Sequence, residues 1–473
     1  MEQATYQRDE SFRDSINTID QQGSRAFVYP RKPKGKLHNR RLVVSWVLLA
    51  IFFGTPFVKY QGDPLFLIDI IHRRFIFFGQ IFWPQDTYIF AVLMIATILF
   101  IVVFTVALGR LWCGWACPQT IFLEMVFRKI EYWIDGDAAS QKRMAASPMT
   151  ADKALRRILK FSIFLLIAHL IALMLAAWVV GVDAVLTMLR EPLVQNLSAF
   201  TGLMLLTAVL MFLYSWFREQ VCVILCPYGR LQGVLLDRNS IVVAYDYKRG
   251  EPRGGFRKNE DRVAIGKGDC TDCRACVQVC PTAIDIRNGT QLECINCTAC
   301  IDACNATMER SGLPKGLIRF ASERMISTGK RLRMNARLWA YSAVLLLLLS
   351  FLSFLLFTRA DVEATILRTP GLLYQQNSDA TISNLYNIKV VNKTRKDAPV
   401  SLKLLSHEGR ILMPSGDMLV RAAGKSESVF LVYLDSLQSS SSSGKIPIRI
   451  GVFSNGNPIE EIDLTFVAPN NKK

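Results

Sequence analysis

Histidine is scarce in this chain: His38, His72, His169 and His407 are the only four in 473 residues. Only His169 falls inside a long apolar run, so a haem held between two facing histidines of a helical bundle is disfavoured. His169 reads instead as a packing or interfacial residue. No C-x-x-C-H occurs, which removes covalent c-type haem. No G-x-x-x-x-G-K-[ST] and no convincing dinucleotide fingerprint are present, so nucleotide-driven chemistry has no anchor. The N-terminal stretch lacks an early apolar region with a small-residue cleavage site and does not read as a signal peptide. Acidic residues are few, 39 against 56 Lys and Arg, for a net charge of +17. In a chain with several spans the simplest source of that excess is basic loops on the inner side of a membrane, and no nucleic-acid partner is expected. No cysteine is left over for a stray disulfide either, which argues for cofactor chemistry in a reducing compartment.

Apolar sequence is abundant, at 51% of residues. Five segments are long and apolar enough to span a bilayer: about 42–57, 88–108, 159–180, 197–216 and 338–357. The stretch 65–82 is apolar but broken by Asp69, His72, Arg73 and Arg74. It is expected to be interfacial or a short re-entrant piece rather than a span. Met94, Met174, Met204 and Met211 lie in spans and read as ordinary packing. The basic run Arg31 to Arg41 reads as a topology anchor facing membrane lipid. The loops after spans two and four are rich in Lys and Arg, whereas 181–196 holds only Arg190. By the positive-inside rule the N-terminus and both of those loops lie inside, and the segment after span five lies outside.

These features divide the chain into a basic tail (1–41) and a membrane domain of four spans (42–240). A cytoplasmic linker and cysteine-rich domain (241–336, core 262–310), a fifth span (337–358) and an outer domain (359–473) follow. The outer domain shows short alternating runs at 382–390, 400–404, 428–433, 446–450 and 462–467. Turn signals at 414–416, 439–444 and 455–458 separate them, and this spacing predicts an all-β immunoglobulin-like sandwich. Asn392-Lys-Thr394 matches a glycosylation sequon, read as a chance match. The expected fold is therefore an α-helical integral membrane bundle of five spans, with an inserted two-cluster ferredoxin-like α+β domain and the C-terminal sandwich.

The insert carries Cys270, Cys273, Cys276 and Cys280-Pro281, then Cys294, Cys297, Cys300 and Cys304. Two successive C-x2-C-x2-C-x3-C runs fit the bacterial ferredoxin pattern for two [4Fe–4S] clusters, in which the fourth ligand comes from the other run. Cluster one takes Cys270, Cys273, Cys276 and Cys304; cluster two takes Cys294, Cys297, Cys300 and Cys280. Zinc also accepts four thiolates, but its sites rarely repeat three evenly spaced cysteines plus a fourth. The second run ends in Cys304-Asn305 rather than Cys-Pro, which removes no ligand. Lys248, Arg249, Arg253, Arg257 and Lys258 bracket the turn-rich linker into this domain and offer a docking surface for an acidic electron donor.

The remaining four cysteines form two matched pairs, Cys113-Gly-Trp-Ala-Cys117-Pro118 and Cys222-Val-Ile-Leu-Cys226-Pro227. Each C-x3-C-P lies just past the inner end of a span. If spans two and four pack together, four thiols converge near the inner surface. Soft thiolates favour Cu(I), zinc or iron–sulfur. A pair of buried packing cysteines and a redox dithiol are the competing readings, although thioredoxin-type spacing is C-x2-C.

Paired C-x3-C-P motifs followed by a two-cluster ferredoxin insert, five spans and a C-terminal β-sandwich resemble the cytochrome c oxidase accessory proteins of the CcoG/RdxA/FixG family. The resemblance implies a metalloreductase that passes electrons from a cytoplasmic donor through two clusters to copper, reducing Cu(II) to Cu(I) for assembly of cbb3-type oxidase. It implies copper at Cys113, Cys117, Cys222 and Cys226, partners among oxidase assembly factors or a copper chaperone, and a place in the bacterial inner membrane. A homodimer stays open. The alternatives are an electron-transfer subunit linking the quinol pool to a partner enzyme, and a non-enzymatic assembly scaffold.

Overall fold

The computed structural model describes residues 18–19, 22–69, 74–192, 194–257, 260–262, 264–329, 336–371, 373–377, 381–414, 416, 418–435, 444–454 and 456–469. His72, Lys258 and most of the 439–444 turn lie outside them. Among the described residues five helices are long and apolar enough to cross a membrane: Lys36–Phe57, Pro84–Leu108, Ala151–Val180, Leu197–Phe217 and Ala336–Phe357. Uninterrupted Leu, Ile, Val and Phe runs make them helical, because only a helix satisfies its own backbone groups in lipid. The first begins at Lys36, before its apolar run, because a distant carboxylate caps it. Leu37 N and His38 N donate to the two oxygens of Asp302 at 3.3 and 2.8 Å.

Two compact units result. The first comprises Met1–Leu67 and Ala91–Ser350, the second Ile68–Phe90 and Phe351–Lys473. In the first unit, the antiparallel strands Val242–Tyr245 and Ile318–Ala321 close the base of the cysteine-rich insert, with Val242 opposite Ala321 and Tyr245 opposite Ile318. Strand pairing therefore brings the two ends of the insert together. Span helices three and four pack against each other, with Phe164, Ala168, Ile171 and Ala172 facing Leu203 and Leu210 in one apolar cluster. His169 Nδ1 lies 3.1 Å from Thr207 Oγ1 across that interface.

The second unit is a two-sheet sandwich. One sheet orders Gly409–Leu412, Lys425–Asp435, Thr381–Asn392 and Val362–Arg368, and the other Met418–Val420, Ala398–Leu404, Lys445–Ser454 and Asn457–Val467. Alternate residues of both, among them Tyr386, Phe430, Val432, Ile450 and Phe466, make the core. The stretch 65–82 is extended rather than a re-entrant helix: Arg74–Phe77 and Gln80–Phe82 form a hairpin with Ile76 opposite Ile81. Its polar breaks suit a strand pair, and it belongs to the unit of the sandwich. Buried Asp86 holds it there, accepting from Arg359 Nη2 and Lys393 Nζ, both at 2.7 Å. Asn392 is fully buried, and its Nδ2 donates to the carbonyls of Lys396, Val420 and Arg421. The sequon is thus a structural corner.

Candidate metal centres

The two cysteine runs adopt one turn twice. Asp272 and Asn296 follow Cys270 and Cys294 by two residues with φ of 50° and 53°, and Arg274 and Thr298 follow Cys273 and Cys297 with φ of 54° and 67°. Left-handed backbone costs about 1–2 kcal/mol for most residues, so its repetition at four matched positions marks a turn fixed by its surroundings. Each turn launches a helix, Ala275–Gln278 or Ala299–Arg310.

Cys280, Cys294, Cys297 and Cys300 line a space of about 350 Å³ walled by Val243, Ile284 and Ile295, with Cys276 at its edge. Cys270, Cys273, Cys276 and Cys304 line a second space of about 320 Å³ beside Tyr245, Met308 and Leu317. Four soft donors around an apolar void suit an iron–sulfur cube. Among the described residues no three His, Cys, Asp or Glu side chains stand close enough to hold a single ion. That spacing agrees with ligands set around the corners of a cluster. Burial pushes the Cys276 thiol up to about 12 and the Cys280 thiol to about 11, so thiolate there requires a cationic centre to offset the desolvation. Cys273 is the exposed ligand of the set.

The C-x3-C-P motifs also share one local fold. Cys117 N donates to Trp112 O at 2.9 Å and Cys226 N to Val221 O at 2.8 Å, the same five-residue reach. Both second cysteines then turn extended, with φ/ψ of −62°/124° and −68°/111°, and proline opens the next helix. The segments interlock. Cys113 Sγ donates to Gln232 Oε1 at 3.1 Å, in the helix that follows the other motif, and Arg110 Nε donates to the same oxygen at 3.2 Å. Cys222 lies beside Thr120, in the helix that follows the first motif, and interacts with Cys117, Cys113 and Cys226. The four thiols therefore share one site. Burial raises the Cys113 thiol, opposed by Arg110, and lifts the Cys222 thiol to about 12. A buried ionic clasp sets the second motif: Arg218, at φ 48°, donates to both oxygens of Glu131 at 2.9 and 2.8 Å, and Glu219 accepts from Arg128 and Arg25.

This four-thiol site abuts the larger thiol-lined space. Cys113 packs in one apolar cluster with Cys297, Ile295 and Val279. Gly114 lies against the backbone of the second run: a Cβ there would overlap Ile295 O and stand 2.9 Å from Cys297 N and 3.0 Å from Asn296 C. Arg41 Nε donates to Gly114 O at 2.6 Å, and Asn296 Oδ1 accepts from Val243 N at 3.1 Å. Sequence reasoning missed Arg41, Arg110, Gly114, Thr120 and Gln232. Gly114, the small residue inside the first motif, was the one visible signal. The basic linker is largely spent internally. Arg249 pairs with Asp269 and donates to the Lys315 carbonyl, Lys248 Nζ reaches Ser327 O, and Arg253 pairs with Glu251.

Residues 217–323 match the family described as "4Fe-4S dicluster domain", residues 90–136 the "4Fe-4S binding domain", and residues 352–469 the "IG-like fold at C-terminal of FixG". Protein RdxA of Cereibacter sphaeroides is 35% identical over 439 residues, covering 87% of this chain and 90% of that protein. Protein RdxB of the same organism is 33% identical over 427 residues, 83% and 87% of the two chains. Nitrogen fixation protein FixG of Rhizobium meliloti is 32% identical over 441 residues, 84% and 81%. With likeness running through the membrane helices, the thiol-lined spaces and the sandwich, the chain belongs to the FixG/RdxA family of membrane 4Fe–4S electron-transfer proteins.

Proposed function

We propose that the chain carries electrons from a donor on the cytoplasmic side of a bacterial inner membrane to cupric ion, and that the cuprous product serves assembly of a cbb3-type oxidase. Cys270, Cys273, Cys276 and Cys304 hold the first cluster and Cys280, Cys294, Cys297 and Cys300 the second. Bound there, the clusters supply one-electron storage at low potential. Exposed Cys273 is the entry edge for a soluble donor. The observation that carries the reading is the contact of Cys113 and Gly114 with Ile295–Cys297, which leaves no gap between the second cluster's ligand loop and the four thiols. Cupric ion is the substrate at that end: one electron arrives, Cu(II) becomes Cu(I), and neither a proton nor a bond to carbon is involved. Thiolate softness favours the reduced product.

Sidedness is supported by loop charge and by grouping. The loop between spans one and two belongs to the unit of the C-terminal sandwich, while the insert between spans four and five belongs to the other. An odd number of spans with the N-terminus inside gives the same division.

The test is anaerobic. Dithionite-reduced protein is mixed with Cu(II), and cluster reoxidation and Cu(I) formation are followed together. Stoichiometric reoxidation, lost when Cys113, Cys117, Cys222 and Cys226 are changed to Ala, supports the proposal. An unchanged rate in that variant sinks it. Normal oxidase assembly in cells carrying cluster-ligand variants with an intact sandwich would point instead to a scaffold.

A further inference from the structure

Eight of the twelve cysteines line the two ferredoxin-type spaces, and four are left in the C-x3-C-P motifs. Those four have the attributes of ligands to a multi-atom centre. They sit on two segments of one conformation that interlock through Gln232 and Thr120, so their positions are fixed without a metal. All four share a site, yet among the described residues no three of them approach closely enough to hold a single ion. The ferredoxin cysteines, set for cubes, behave the same way. Thr120, 2% exposed and beside Cys222, has a hydroxyl with no hydrogen-bond partner of the ordinary kind, and buried Gln119 Nε2 has none either. Sulfide-bridged clusters accept such donors, and these contacts tune their potentials. Residues 90–136, the match to a 4Fe–4S binding domain, contain Cys113 and Cys117 and no other cysteine.

We infer that Cys113, Cys117, Cys222 and Cys226 together hold a third iron–sulfur cluster, with Thr120 a donor to it and Arg110 the nearby compensating charge. The inference rests on the proposed relay and deepens it. The four thiols become a resident way-station that takes one electron from the second cluster and gives one to cupric substrate, rather than the copper's own resting site. Ligation by four cysteines serves both two-iron and four-iron clusters, and the iron count separates them.

The experiment uses full-length protein reconstituted anaerobically with iron and sulfide, then desalted. Wild type is expected to hold roughly ten or twelve irons per chain, against roughly eight for two cubes alone. Iron and labile sulfide should fall by roughly a fifth or a third in C113A/C117A/C222A/C226A, with the ferredoxin EPR signals unchanged. Mössbauer spectra of wild type enriched in iron-57 decide the matter without any variant, should the quadruple variant not accumulate. A third component supports the inference; roughly eight irons and two components overturn it. The two proposals fail separately. A full iron complement with no Cu(II) reduction sinks the copper reading alone, and roughly eight irons with intact Cu(II) reduction sinks the third cluster alone.

Discussion

Gly114→Ala puts the proposed electron path under the most direct strain. The added Cβ would stand 2.9 Å from Cys297 N and 3.0 Å from Asn296 C, and closer still to Ile295 O. Ordinary contact is about 3.5–4.0 Å, and all three atoms are backbone, so no side chain can swing aside. The first C-x3-C-P segment must separate from the ferredoxin loop by about 0.5–1 Å. Overpacking of this kind costs about 1–3 kcal/mol. The hydrogen bond from Arg41 to Gly114 O shifts with the carbonyl, and a bond to a charged group is worth about 1.5–3 kcal/mol. The expected outcome is a protein that still assembles its ferredoxin clusters but unfolds at lower temperature and passes electrons to Cu(II) more slowly. Stopped-flow absorbance of the reduced clusters after mixing with Cu(II) reads the rate, and thermal unfolding in detergent reads the stability. Gly202→Ala is the control: a Cβ there meets nothing within 4 Å, and the residue lies in the helix Leu197–Phe212. It should be neutral or stabilising by about 0.5–1 kcal/mol. Wild-type transfer and wild-type melting in Gly114→Ala would refute the claim that this contact couples the two centres.

Three further outcomes are expected. Asp86→Ala leaves Arg359 and Lys393 buried without their shared carboxylate; it should destabilise the sandwich unit by about 3–5 kcal/mol, read as an early transition in thermal unfolding of the full chain. Asp302→Ala uncaps the first span at Leu37 and His38, costs about 0.5–2 kcal/mol, and should speed hydrogen exchange at residues 36–40; unchanged exchange would show that the cap is not what fixes the helix start. Asn392→Ala removes the donor to three buried carbonyls and should cost about 1–3 kcal/mol, whereas Ser428→Ala, on an exposed edge of the same sheet, should stay within about 0.5 kcal/mol of wild type.

What was legible in the sequence follows from what kind of information each feature needs. Five spans were visible because lipid demands continuous apolar helix, and the cysteine runs because thiolate spacing within a few residues is itself the ligand geometry. The β-runs were visible through period two. The 65–82 stretch was misread because its polar residues were weighed as breaks in a membrane piece; the hairpin forms through Asp86 binding Arg359 and Lys393, partners more than 270 residues away. The start of the first span at Lys36 depends in the same way on Asp302, 264 residues from His38. The electron path is the sharpest case. Cys113 and Cys297 are ordinary members of separate motifs, and their juxtaposition is made by Gly114 on the Ile295–Cys297 backbone, by Gly109 at φ 57° close to Ile241 O, and by Arg41 bonding Gly114 O. None of these contacts leaves a periodicity or a spacing. Glycine leaves only an absence of side chain, which acquires meaning when the neighbouring backbone is known. Motif spacing thus reveals centres that one short segment can build. The coupling between centres is built from remote backbone approach, and that is where function in this chain is most exposed to a single methyl group.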